Sequence, residues 1–147
     1  MQSLLSLYPK TSSPCNCMNL RRASRAVTQF YDDRLKPCGL TVTQLGLLRH
    51  IAGCNPPTIS EVAKQIRIDR TTLNRNLKPL NEAGFIVITP GQDSRIRLIT
   101  LSAAGQQAME EGSCLWEQAQ LALQDYLGDA DLGKLGQLLL KLEELVP

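Results

Sequence analysis

Three helix starts packed between Thr41 and Asp69 constrain this chain more than any other feature of its sequence. Thr41 is followed three residues later by Gln44, and Thr58 by Glu61. Both pairs have capping-box form, in which the hydroxyl accepts from the amide three residues on and the Gln or Glu reaches back to the cap amide. Asp69 opens a third apolar-periodic run, and Leu40 with Leu45 and Ile68 with Leu73 stand at hydrophobic-staple positions. The spacing predicts one helix carrying Leu45, Leu47, Leu48 and Ile51 and ending before Gly53. A second follows the Asn55-Pro56-Pro57 break with Ile59, Val62, Ala63 and Ile66. The third turns Leu73, Leu77 and Leu80 inward and stops at Gly84.

The period then changes. Residues 85–89 are β-rich, Pro90-Gly91-Gln92-Asp93 is turn chemistry, and residues 95–101 form a second strand, so a hairpin follows the three helices. Ser102 caps a long helix over about 103–126, and Gly128 separates it from a last helix over about 129–145 with Leu132, Leu135, Leu138, Leu139, Leu142 and Leu145 on one side. Upstream, Leu20, Ala23, Val27, Phe30 or Tyr31, and Leu35 mark a helix from Cys17 to Lys36, stopped by Pro37 and Gly39. Residues 1–16 read as a loosely ordered arm. Three helices and a hairpin in this order predict a mainly α fold with a small β-hairpin, a winged helix-turn-helix.

Charge is placed unevenly along the chain. Residues 1–57 carry seven Lys/Arg against two Asp/Glu, residues 58–102 seven against four, and residues 103–147 two against eight. A basic first two-thirds suits phosphates, and an acidic tail faces elsewhere. With Leu73, Leu77 and Leu80 buried, Arg70, Thr71, Asn74, Arg75 and Lys78 occupy the opposite face of the third helix. Those side chains suit phosphates and base edges in the major groove of double-stranded DNA. Arg95 and Arg97 flank the hairpin tip, where an Arg can enter a narrow minor groove. Pro79 removes a backbone hydrogen bond inside this helix and predicts a kink or an end near Lys78. A leucine stripe on the last helix, after a domain already complete, calls for a second copy of the chain.

Residues 40–44, the helix from Asp69, the Asn81-Glu82-Ala83-Gly84-Phe85-Ile86 junction, and Asp93-Ser94-Arg95 followed by Leu101-Ser102-Ala103-Ala104-Gly105 together resemble the MarR family of bacterial regulators. The resemblance covers roughly residues 17–145 and is most specific at the junction and the wing. It implies a homodimeric transcriptional repressor on a pseudo-palindromic operator, held together by its first and last two helices. It also implies that Arg95 enters the minor groove while Asp93 holds it. The expected division is an arm at 1–16, dimerisation helices at 17–37 and 102–147, and a winged helix-turn-helix at 38–101.

Five cysteines at Cys15, Cys17, Cys38, Cys54 and Cys114 form no paired framework, and no signal segment or membrane-length apolar run is present, which points to a reduced, cytoplasmic setting. Cys15 and Cys17 could bind a metal, but His50 is the only histidine, and a four-ligand zinc site would need Cys38, Cys54 or Cys114 to converge or ligands from the other subunit, so neither metal nor cofactor is expected. No phosphate loop or Ser/His/Asp set supports an enzyme. Cys15 and Cys17 begin the first helix with Arg21 and Arg22 one turn on, which favours a thiolate. The alternative is that the cysteines are small buried apolar residues. The segment from Cys17 to Leu45 also resembles the organic-peroxide-sensing branch of the family. That likeness makes Cys17 the reactive thiol, Tyr31 a hydrogen-bond partner and Cys114 a resolving thiol from the other subunit, with Val42 standing where a second Tyr is found. The family's other mode is a small aromatic acid or phenol between the DNA-binding lobe and the dimerisation helices. A winged helix that binds proteins without specific DNA recognition is the competing class.

Overall fold

The computed structural model describes residues 10–53 and 57–147. Residues 1–9 of the arm, Cys54 and the Asn55-Pro56 break lie outside the described residues. The chain runs α1 (Asn16–Leu35), a single 3-10 turn (Lys36–Cys38), α2 (Val42–Ala52), α3 (Ile59–Ile66) and α4 (Arg70–Glu82). A hairpin of β1 (Ile86–Pro90) and β2 (Arg97–Leu101) follows, then α5 (Ala103–Leu127) and α6 (Asp129–Glu143). This is a mainly helical winged helix-turn-helix. Both Thr capping boxes form with reciprocal bonds, and Asp69 and Ser102 cap α4 and α5 through the amides of Thr72 and Gly105.

The core is aliphatic, as a chain this poor in aromatics requires. Leu35, Leu45, Leu48, Ile51, Val62, Leu73, Leu77, Leu80 and Ile99 are essentially closed to solvent. The hairpin pairs Ile86 with Leu101 and Ile88 with Ile99. It is anchored to the start of α3, because Thr58 bridges Leu98 and Ile99 donates to the Pro57 carbonyl at 3.0 Å. The wing is thereby fixed beside the helix-turn-helix.

The expected break at Pro79 is corrected: α4 is continuous through Glu82. Pro79 stands in the last turn, where only one amide is missing and its own carbonyl accepts from Ala83 at 2.9 Å. Gly84, at φ 75°, then closes the helix as a Schellman motif, with Gly84 bonded to Asn81 and Phe85 to Leu80. Phe85 therefore belongs to the cap, and β1 starts one residue later than expected. β2 starts at Arg97, so Arg95 lies in the wing tip and not on a strand. The last helix ends at Glu143, two residues early.

α5 crosses this junction closely. Ser102 donates its amide to the Phe85 carbonyl at 3.0 Å and its hydroxyl to the Gly84 carbonyl at 2.5 Å. A Cβ on Gly105 would sit 1.9 Å from the Phe85 oxygen. Further along, Arg49 of α2 stacks over Trp116 and donates to Ser113, Tyr31 donates to Gln120, and Asp32 accepts from the Val42 amide at 2.8 Å. α1 and α5 run antiparallel, since Cys38 faces Gly112 and Tyr31 meets Gln120.

α1 and α6 are left without cover. Every described side chain from 16 to 29 except Asn19 is exposed, and α6 buries none of its residues. Two outcomes follow from the core and the junction. Leu77→Ala lowers unfolding free energy by about 2–5 kcal/mol, the range for a buried Leu whose cavity relaxes incompletely. Gly105→Ala lowers it by about 1–3 kcal/mol or more, because backbone and not a flexible side chain occupies the space. Chemical denaturation of each variant measures both.

Candidate nucleic-acid interface

The interface is built from the solvent face of α4. A helix with Leu73, Leu77 and Leu80 seated in the core must turn residues half a revolution away to water. Arg70, Thr71, Asn74, Arg75 and Lys78 are all exposed. Among these, only Lys78 has an ion-pair partner among the described residues, Glu82 at 4.0 Å and one turn on. Such an exposed i,i+4 contact is worth a few tenths of a kcal/mol and yields readily to a phosphate.

The cap holds the start of this helix in place. Asp69 accepts from the Thr72 amide and the Thr72 hydroxyl, each at 2.8 Å. These bonds, the amide foremost, hold its carboxyl below the usual carboxylate range. The remaining free amides of the first turn point outward beside Arg70, where the helix dipole favours an anion.

The wing supplies the rest. Asp93 accepts the Arg95 amide at 3.0 Å, and its carbonyl accepts from Ile96 at 2.9 Å. Asp93 therefore shapes the backbone of the tip and leaves the Arg95 guanidinium free, where the sequence suggested that it holds the side chain. Gly91 closes the tip by donating to the Ile96 carbonyl at 2.7 Å. Arg95 and Arg97 are exposed and unpaired among the described residues.

These parts meet in a cleft of about 240 Å³ lined by Thr58, Ile59, Ser60, Arg70, Arg95, Ile96 and Arg97. Three arginines and the starts of two helices line it, a composition that attracts phosphate. Thr58, read from the sequence only as a helix cap, and Ser60 were not among the expected DNA-contacting residues. Their place depends on the bridge from Thr58 to Leu98, a tertiary contact with no local signature.

The residues of the expected redox site are not gathered. Cys15, Cys17 and Cys114 are exposed and Cys38 is buried, donating to the Leu35 carbonyl. Tyr31 is buried and donates to Gln120, and burial raises its hydroxyl pKa. Cys17 and Tyr31 stand fourteen residues apart on α1, about 21 Å, so within one chain Tyr31 is not its partner. His50 lies on the surface, and among the described residues no His, Cys, Asp and Glu group is arranged to hold a metal.

A model of the MarR family matches residues 39–96, the helix-turn-helix and most of the wing. The M. tuberculosis transcriptional regulator MosR, solved in complex with DNA, is 38% identical, with 84% of this chain aligned to 94% of that one at a TM-score of 0.71. The uncharacterised HTH-type transcriptional regulator YwoH of Bacillus subtilis is 25% identical over 92 residues, 63% of this chain and 67% of that protein. A single-site mutant of E. coli MarR, solved with operator DNA, shares the fold at a TM-score of 0.75 and 22% identity, over 88% of this chain and 92% of that one.

The lowered Asp69 carboxyl sets a pH dependence with a definite sign. Its stabilisation of the α4 start is complete above the ordinary carboxylate pKa and is lost as pH falls through the lower folded value. Hydrogen exchange at the Thr72 amide should therefore accelerate, relative to the helix centre, only well below about pH 4. Asp69→Asn, which caps without titrating, should abolish that change.

Proposed function

The chain belongs to the MarR family of transcriptional regulators, and on that premise we propose that it binds a pseudo-palindromic operator as a homodimeric repressor in the cytoplasm. It is a DNA-binding regulator and not an enzyme. The observation that carries the reading is the exposed polar and basic face of α4 beside a cleft lined by Arg70, Arg95 and Arg97, none of which has an ion-pair partner among the described residues. In this reading Thr71, Asn74 and Arg75 enter the major groove, with Arg70 and Lys78 on flanking phosphates. Arg95 reaches the minor groove, Arg97 supports it from the strand, and Asp93 sets the tip that presents Arg95. Residues 38–101 form the DNA-binding unit, and 17–37 with 102–147 form the dimerisation unit, following the arm at 1–16. The leucines that α6 leaves exposed, with Met18, Leu20 and Val27 of α1, support a second copy as their cover. No helix among the described residues is long and apolar enough to cross a membrane.

A redox input is supported by a separate observation: Cys17 is exposed, and Arg21 one turn on has no ion-pair partner among the described residues. The Cys17 thiolate attacks an organic hydroperoxide, forming a sulfenic acid and releasing the alcohol. A second thiol, Cys15 or Cys114 of the second copy, condenses with it to a disulfide and releases water. Two thiols are thus oxidised and one hydroperoxide reduced, with no further reagent.

Fluorescence anisotropy on an operator duplex tests both readings. Six to ten phosphate contacts give an affinity loss of about 10³ to 10⁵ between 50 and 200 mM salt. Arg75→Ala should cost about 1–3 kcal/mol and relax base preference, whereas Lys78→Ala should weaken all sequences alike. A shallow salt dependence would favour a protein-interaction module. Hydroperoxide should release the operator from the parent protein but not from Cys17→Ser, and release from both would exclude this thiol.

A further inference from the structure

α1 carries a basic face that its own chain does not use. Arg21, Arg22 and Arg25 are exposed, and the three ion pairs among the described residues involve none of them. At 100° per residue they point about 80°, 180° and 120° away from Tyr31, the side chain that faces α5. Arg22 and Arg25 are thus turned away from α5, and Arg21 points to its side. From Tyr31 to the start of α1 is about 22 Å, whereas from Gln120 to the end of α5 is about 10 Å. The basic end of α1 therefore projects roughly 12 Å past α5 and away from α2, which is bonded to its other end.

At that same end of the molecule, the corner between α5 and α6 is acidic. Asp125, Asp129 and Asp131 are exposed, and none has an ion-pair partner among the described residues. Asp129 accepts from Gln124, so Asp125 and Asp131 are the two carboxylates most free to pair.

We propose that α1 of one copy lays Arg21, Arg22 and Arg25 against the acidic α5–α6 corner of a second copy, forming two identical ionic seams across the dimer. The proposal rests on the homodimer reading and adds what fixes its geometry. An apolar interface made of Leu135, Leu138, Leu139 and Leu142 is tolerant of sliding. Opposed charges at one end of it select a register and an orientation, and a two-fold axis repeats each contact. Because the charges are exposed, salt weakens the seam.

The test uses sedimentation equilibrium on the full chain and two variants, Arg21→Glu/Arg22→Glu/Arg25→Glu and Asp125→Lys/Asp131→Lys, each checked for native helicity. Each variant alone should dimerise at least about tenfold more weakly than the parent at low salt. An equimolar mixture of the two should recover a mixed dimer, because each seam in it opposes unlike charges. Parent and variants should converge as salt rises to about 0.5 M. Variants that dimerise like the parent at low salt would overturn the seam while leaving the homodimer in place. The same holds if the arginine variant stays dimeric and loses only operator affinity, which would give those side chains to DNA. A parent protein monomeric at every concentration would overturn the homodimer reading itself.

Discussion

The passage from α4 through Gly84 and Phe85 to the start of α5 is the constraint on which the rest of the structure depends. Gly84 reverses the chain at the end of α4, and its carbonyl and that of Phe85 are both taken by Ser102. Gly105 lets α5 lie directly on that backbone. Three elements are fixed by this crossing: the recognition helix, the hairpin that leaves and returns through the crossing, and the long helix leading to the acidic end of the molecule. The two segments that carry the family likeness, 81–86 and 101–105, are thus the two sides of one contact.

From that fixed point the electrostatics follow. α3 and α4 both start beside the wing, and Arg70, Arg95 and Arg97 line one cleft there with no ion-pair partner among the described residues. Asp125, Asp129 and Asp131 stand instead at the far end, at the α5–α6 corner. The exposed apolar side chains of α1 and α6 lie in the same region as the arginines of α1 and the carboxylates of the α5–α6 corner.

What the sequence made legible was local. Caps at Thr41, Thr58, Asp69 and Ser102 are bonds between residues three apart, and the leucines of α4 repeat on a helical period, so neither needs tertiary information. Misreadings arose where a distant contact decides. Pro79 breaks helices in general, yet here it stands in a last turn closed by Gly84. Arg95 looked like a strand residue because the alternation continued into the tip, but the Asp93 turn ends the ladder at Arg97. Thr58 was legible as a cap and not as a wall of the cleft, since its bridge to Leu98 spans forty residues. Within one chain Tyr31 faces α5, a helix length away from Cys17.

The most direct measurement is hydroxyl-radical footprinting on an operator selected from a random-sequence pool by the protein itself. Two recognition helices related by a two-fold axis predict two protected segments whose centres lie about one helical turn, or 10 base pairs, or a multiple of it apart. Minor-groove protection should flank them and disappear when Arg95 is replaced by Ala. A single asymmetric footprint, or an unchanged flank in that variant, would contradict the account of how this fold reads DNA.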